Sequence, residues 1–406
     1  MRKITKLSLV TILGLSSTLC ADTLEEAFKS SKVSGEIKTA YVNSNFLGSS
    51  KADKVTAVGG SLSIKTGSMY GLKAAATFQS SSVLNDGIDY VDRGSLDVNG
   101  ASKKVNSFNA SGSVLSELYL EYAISNTTLK LGRQFMTTPL VSTAIDGKSS
   151  EAIVKDSFEA YVLTNTDLPN TTIIAGYIDK YQAQSDGNGD IGTFTQLEDG
   201  AYTIYAKNTS LKNLTFEGQY LKVKGQVSTG DKEVSYVQAD YDLSGHVLSG
   251  QYLASSDKSQ ASNAQDGKAF GLRATGPLGL GKLGYVLCYN GSTDKNAALY
   301  TGLGEGADNV LFTAMPVHGG GVPSRADTDT VVGAVIVPVA STMVIPYLGK
   351  SYSKTHALGD VTAYGGMFIY PATKNLLIKA EYEHVKVENL ISEDTDTTRI
   401  YLSYKF

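Results

Sequence analysis

The chain alternates between apolar and polar positions. From Val33 to Tyr41, Val33, Gly35, Ile37, Thr39 and Tyr41 fall on one side of an extended backbone, and Ser34, Glu36 and Lys38 fall on the other. The same two-residue period returns in GSLSIKT (60–66), LKAAATF (72–78), ELYLEYA (117–123), LTFEGQYL (214–221), VSYVQADY (234–241) and LLIKAEYEHV (376–385). It returns a last time in RIYLSYKF (399–406), where Ile400, Leu402, Tyr404 and Phe406 alternate with Arg399, Tyr401, Ser403 and Lys405. An amphipathic helix spaces its apolar residues by three and four, whereas a half-buried strand spaces them by two. These segments are predicted to be strands.

The links between the segments sort into two alternating kinds. The short ones, TGSMYGL, ISNTT, TNTDLPNT, KNTSLKN, DLSGH, GPLGLG, PVAS and PATKN, hold the Gly, Asn, Asp or Pro of a tight reversal. Generally longer ones fall between them, at roughly 43–54, 80–115, 136–156, 181–199, 223–232, 256–266, 290–328, 353–359 and 387–396. Eight short and nine longer links join eighteen strands. An even strand number with short turns at one end and long loops at the other is the plan of an outer-membrane barrel. A β-sandwich would not sort its loops by parity. The predicted fold is all-β: one transmembrane antiparallel up-and-down β-barrel of 18 strands, with short periplasmic turns and long extracellular loops.

Hydrocarbon offers backbone N–H and C=O groups no partner, so such a sheet spans a membrane only when closed. The last strand must therefore seal against the first, near Val33 to Tyr41. Its Ile400/Leu402/Tyr404/Phe406 face is predicted to meet lipid, and Arg399, Ser403 and Lys405 to meet the lumen. A terminal Phe after alternating apolar residues resembles the assembly signal of bacterial outer-membrane proteins. It makes the barrel assembly machinery an expected partner through Phe406.

Composition supports this picture. Gly is abundant (41), Pro scarce (8), Trp absent, Tyr plentiful (24), and only 19% of residues are charged. Tyr and Phe are then the available interfacial girdle, with Tyr122, Tyr220, Tyr241 and Tyr382 placed for it. The start, MRKITKLSLVTILGLSSTLCA, has a basic front (Arg2, Lys3, Lys6), an apolar run from Leu7 to Leu19, and Ala21. It reads as a secretory signal peptide cleaved after Ala21, leaving 22–406 as a single barrel domain. Losing its three cations takes the net charge from −4 to −7. That mild acidity excludes a nucleic-acid footprint. Only Cys288 remains after cleavage, so no intramolecular disulfide can form. The longest apolar run, VVGAVIVPVA from Val331, is about half of a spanning helix and carries Pro338. The expected location is the bacterial outer membrane, among its lipids and lipopolysaccharide.

One stretch carries a family resemblance. GRQ (132–134), TPL (138–140), Asp146 and FEAYVLTNTDLPNTTIIAGY (158–177), with TLEEAFKSSKVSGEIK (23–38), resemble the OprD-type porin family over about a fifth of the chain. The resemblance implies a pore for passive diffusion of small hydrophilic solutes and ions, with the third outer loop (136–156) folded inward as the constriction. It implies no obligatory cofactor, and porins generally form homotrimers. Carboxylate-taking members carry an Arg-rich ladder. This mature chain has only Arg93, Arg133, Arg273, Arg325 and Arg399, so anion selectivity is not carried over.

The chemistry of a pore lies in the charges that line it. Parity turns Lys130 and Gln134 inward beside Glu117, Tyr119 and Glu121, with Glu159 and Tyr161 on the same side. The loop between offers Asp146, Lys148, Glu151, Lys155 and Asp156. Strict alternation points Arg133 to lipid, but at a strand end register often breaks, and it is counted with the pore. Opposed acids and bases across a neck create a transverse field that orients dipolar solutes and sieves ions.

Other motifs are weaker. GLGKLG (279–284) lies in a short turn opening a strand, so no helix N-terminus is there to hold a phosphate. HGGG (318–321) comes without a G-x-S-x-G elbow and reads as a flexible tip of the seventh loop. IDGKSS (145–150) lacks the first glycine of a phosphate loop. Asp186, Asn188 and Asp190 offer three oxygens at alternate positions, a candidate outer-loop Ca²⁺ site, yet Ile191 stands where such a loop wants Gly. His246, His318, His356 and His384 are scattered without metal-ligand spacing, and no enzyme site is visible. The alternative function is a barrel-anchored surface adhesin or antigen working through 80–115 and 290–328.

Overall fold

The computed structural model describes residues 22–46, 52–85, 110–143, 153–187, 189–226, 230–258, 265–293, 297–319, 321–354, 359–388 and 394–406. Residues 1–21, expected from the sequence to be a signal peptide, lie outside them. A short helix, α1 (Leu24–Lys29), capped by the Thr23 hydroxyl, leads into the first strand. The strands are β1 (Lys32–Phe46), β2 (Ala52–Lys65), β3 (Leu72–Asn85), β4 (Gly112–Ile124), β5 (Thr127–Gln134) and β6 (Ser157–Asn165). Then come β7 (Thr171–Gln182), β8 (Phe194–Asn208), β9 (Leu214–Gln226), β10 (Gly230–Leu243), β11 (His246–Asp257) and β12 (Lys268–Pro277). The last six are β13 (Gly284–Ser292), β14 (Thr328–Val339), β15 (Thr342–Ser353), β16 (Val361–Pro371), β17 (Leu376–Val387) and β18 (Thr395–Lys405).

All eighteen belong to one sheet in which each strand pairs antiparallel with its sequence neighbours. β1 also pairs with β18, from Glu36↔Lys405 to Phe46↔Thr395, which closes the barrel. Below that ladder Gly35 and Phe406 exchange two backbone hydrogen bonds, at 2.9 and 3.0 Å. The terminal residue is thus the last rung of the seam. Closure removes the edge that would otherwise leave a row of unpaired backbone groups in lipid.

The two faces are inverted relative to a soluble domain. Ile37, Leu62, Leu120, Leu163, Ile204, Leu272, Leu348 and Leu402 are exposed on the outer wall, while Lys38, Gln79, Glu121, Lys379, Glu381 and Ser403 are buried inside. Tyr122, Tyr220, Tyr241 and Tyr382 face outward. Seven of the eight short turns use left-handed residues; in the two-residue link of Ser244 and Gly245 both φ values are positive (54° and 96°), the geometry that matches strand twist in a hairpin.

Several outer links are shorter than the alternation predicts. β1 runs to Phe46 and β2 starts at Ala52, while β9 runs to Gln226 and β10 starts at Gly230. The apolar period stops where the lipid stops, but the ladder continues through polar pairs such as Asn43↔Lys54. Pairing needs only backbone.

One part of the inner wall is dry. Phe158, Ala160 and Val162 of β6, Ile178 of β7, Ala201 of β8, Leu221 of β9, Val234 of β10, Leu253 of β11 and Ala269 of β12 are buried together. They pack against Met136, Leu140 and Val141 of the β5–β6 loop and Leu299 and Leu311 of the β13–β14 loop. These strand residues lie toward the long-loop end. Toward the short-turn end the inward positions become polar, as in Val234, Tyr236, Gln238, Asp240 along β10 and Leu221, Gln219, Glu217 along β9. The apolar half is a shelf on which two loops rest.

Candidate functional site: the lumen

A cavity of about 1230 Å³ runs inside the barrel, lined by strand side chains and by residues 135–139 and 309–316 of the two inserted loops. The strands supply the charge. Glu121 receives Lys65 at 2.9 Å and Lys73 at 3.7 Å. Glu217 accepts the hydroxyls of Tyr205 and Tyr236, both at 2.8 Å, and has Lys207 at 3.9 Å. Arg273 pairs with Asp240 at 3.4 Å and lies over the Phe312 ring at 4.2 Å. Glu381 meets Lys379 at 2.6 Å and Arg399 at 3.9 Å. The loops supply apolar surface: Phe135, Met136, Pro139, Val310, Phe312 and Met315.

The β5–β6 loop is held by the wall it crosses. Gln219 of β9 accepts the Leu140 N–H at 2.7 Å and donates to the Thr138 hydroxyl at 2.8 Å. At the far end of the loop the Lys155 N–H donates to Gln79 of β3 at 3.0 Å, and the Lys155 ammonium lies 3.9 Å from Glu36. The β13–β14 loop docks on this one. Ser142 N–H donates to the Leu303 carbonyl at 3.0 Å and Leu303 N–H to the Leu140 carbonyl at 2.9 Å. A side chain at Gly302, whose φ is 132°, would put its Cβ 2.2 Å from the Leu140 carbonyl oxygen, so the approach requires glycine. The fully buried Asp156 carboxylate accepts the Glu305 N–H at 3.0 Å and the Tyr181 hydroxyl at 3.4 Å. Burial, aided by the Asp308 and Asp156 carboxylates, pushes the Glu305 carboxyl up to about 7.

The tip of the β13–β14 loop is clamped to the opposite wall. Glu383 of β17, with 0% of its surface exposed, accepts the His318 backbone N–H at 3.1 Å, its ring Nδ1–H at 2.7 Å and the Tyr347 hydroxyl at 2.7 Å. Arg399 of β18 donates to the Val317 carbonyl at 3.0 Å and the Pro316 carbonyl at 3.4 Å. His318 is therefore an anchor inside the barrel, not a flexible outer tip. Sequence reasoning missed this loop, although VLFTAMPV (310–317) is too apolar for a loop lying in water. Of the segment 290–328 open to an adhesin, Leu299, Leu311 and Pro316 to His318 are held inside the barrel; most of 80–115, residues 86–109, lies outside the described residues.

The residues singled out by sequence separate into three groups. Lys130, Gln134, Glu117, Tyr119, Glu121, Lys155 and Asp156 face inward. Gln134 is 2% exposed and bonded to the Ala160 carbonyl at 3.0 Å. Arg133, Glu159 and Tyr161 face outward, contrary to their placement in the pore. Arg133 sits opposite Glu159, and Glu159 opposite Lys180, with contacts of 3.4 and 2.8 Å. Tyr161 is 53% exposed on the outer wall beside Tyr177, ring centroids 6.0 Å apart. The reason is the dry shelf: on β6 the inward positions are Phe158, Ala160 and Val162, so the charged and tyrosyl positions turn out. Asp146, Lys148 and Glu151 lie outside the described residues.

Of the candidate cation loop, Asn188 lies outside the described residues, and Asp186 Oδ1 accepts the Asp190 N–H at 3.1 Å. Among the described residues no three His, Cys, Asp or Glu side chains are grouped as metal ligands. His384 pairs with Asp396 at 2.9 Å on the outer wall, facing away from Glu383.

Comparisons with known proteins agree with this architecture. No curated protein matches the chain by sequence. Among solved structures, Pseudomonas aeruginosa OpdO superposes with a TM-score of 0.73 at 16% identity, covering 94% of this chain and 98% of that one. Pseudomonas aeruginosa OpdK, solved with vanillate, gives 0.73 at 14% identity, covering 93% and 99%. Acinetobacter baumannii OccAB4 gives 0.72 at 15% identity, covering 93% and 98%. The family described as Campylobacter major outer membrane protein matches residues 1–406. The chain therefore belongs to the Campylobacter major outer membrane protein family, located in the outer membrane and built as an OprD-type porin barrel.

Proposed function

We propose that the protein is a passive, water-filled channel for small hydrophilic solutes and ions, narrowed where the β5–β6 and β13–β14 loops lie inside the barrel. The observation that carries the reading is the cavity of about 1230 Å³ between those loops and a wall studded with both charge signs. Acids and bases facing each other across that space favour dipolar and hydrated solutes, and passage asks no bond-breaking of the chain. The channel reading is tested by planar-bilayer recording of the refolded protein. Stepwise ohmic currents in KCl are expected, and insertion without current overturns it.

A further inference from the structure

We propose that the lumen contains a subsite for zwitterionic solutes of the α-amino-acid type with an apolar side chain, built from Glu117, Tyr119 and Lys130. The proposal rests on the channel reading and adds the class of solute.

Glu117, Tyr119 and Glu121 occupy successive inward positions of β4, so Glu117 and Tyr119 stand roughly 7 Å apart along the strand. Lys130 sits opposite Glu121 on β5, but its ammonium reaches up over the Tyr119 ring, 4.2 Å from the centroid. Glu121 is already taken by Lys65 and Lys73. Of the charged groups around the cavity, Lys130 and Glu117 are the two with no ion-pair partner within 4.0 Å among the described residues. Among the described residues Glu117 accepts neutral donors, the Thr77 hydroxyl at 2.6 Å and the Phe135 N–H at 3.3 Å, which leaves lone pairs free.

An acid and a base that share this wall, each without a direct ion pair among the described residues, are complementary to an ammonium and a carboxylate borne on one carbon. Each end of such a solute can take a charge-assisted hydrogen bond of about 2.8 Å from the group of opposite sign. A singly charged solute satisfies one group and meets its own sign in the other. Beside Glu117 the β5–β6 loop opens with Phe135 and Met136, and Phe312 and Met315 line the same cavity. Those surfaces suit an aliphatic or aromatic side chain better than a hydroxylated one.

The test is solute block of single-channel potassium current through the refolded full chain, comparing L-phenylalanine with L-serine, phenylpropionate and phenethylamine. L-phenylalanine is expected to half-block at about a tenfold lower concentration than the other three. Glu117→Gln and Lys130→Met should each raise that concentration about tenfold, or 1.4 kcal/mol, read against each variant's own open current. The exchanged pair Glu117→Lys/Lys130→Glu should recover part of the loss, since the zwitterion can bind reversed. Equal block by all four solutes, single variants without effect, or an exchanged pair no better than the singles would overturn the subsite. A wild-type protein that carries no current would instead overturn the channel reading itself.

Discussion

Glu383 offers the sharpest test of how the β13–β14 loop stays inside the barrel. It is fully buried and takes three donors, two from His318 and one from Tyr347. Glu383→Gln keeps the shape but replaces one acceptor oxygen with an NH₂ group, so either the His318 pair or the Tyr347 hydroxyl faces a donor. Hydrogen bonds to a charged group contribute about 1.5–3 kcal/mol each, and a buried donor left without an acceptor costs a similar amount. A loss of about 2 kcal/mol from the docked loop shifts the docked-to-released ratio by roughly 30-fold. Single-channel recording reads this directly, as excursions to a larger conductance roughly 30 times more frequent than in the parent. The thermal transition of the barrel should move far less, because none of its strand pairings uses this side chain. Adding Arg399→Met, which removes the donors to Pro316 and Val317, should lengthen the excursions. Unchanged current noise in the double variant would refute the clamp.

Three further predictions concern the other contacts. Gln219→Leu strips Leu140 N–H of its acceptor and Thr138 of its donor, and should loosen the β5–β6 loop by about 2–3 kcal/mol, seen as a larger mean conductance; a parental conductance would remove Gln219 from that role. The Glu305 carboxyl, raised from 4.5 to about 7 when docked, favours docking most at low pH and loses that contribution as pH climbs through 7. Current noise should therefore rise between about pH 5 and pH 8 in the parent and stay flat in Glu305→Gln; identical profiles would discard this source of pH dependence. Deleting Phe406 removes the last rung of the seam, the two bonds with Gly35, and should lower the yield of folded barrel in the outer membrane well below that of Tyr404→Leu. Equal yields would detach assembly from the terminal residue.

Strand number, closure and face assignment at the seam were legible in the sequence because lipid enforces them. Every outward position between the two interfaces must be apolar, so Ile37, Leu402 and Phe406 announce their side without help from the rest of the molecule. Where that enforcement ends, legibility ends too. The upper rungs of β1 and β2 pair through Asn43, Ser44 and Lys54 in water, and nothing in their polarity marks them as strand. Lys130, Glu117 and Glu121 were readable as lumenal because their partners on the same strands, Leu118, Leu120 and Leu131, are unmistakably apolar. Glu159 and Tyr161 were not, since β6 is apolar on both faces, with Phe158, Ala160 and Val162 on one and Leu163 on the other. A rule that sets grease against water has no answer when the inner face is also dry.

That ambiguity is itself informative. Along β9, β10 and β12 the inward side chains grade from Leu221 to Glu217, from Val234 to Asp240 and from Ala269 to Arg273, the apolar member of each pair lying nearer the long loops. An open pore gains nothing from apolar side chains facing its own water, because burial is what makes them favourable. They are stabilising only if something covers them, and the cover must come from the same end of the barrel, where the long loops are. The inserted segments 138–142 and 310–316 carry the matching apolar surface, one anchored by Gln219 and the other by Glu383 and Arg399. The shelf and its polar anchors are therefore properties of the wall. On the channel reading proposed above, substitutions at these anchors on β9, β17 and β18 should change what passes even where they leave the loop sequences intact.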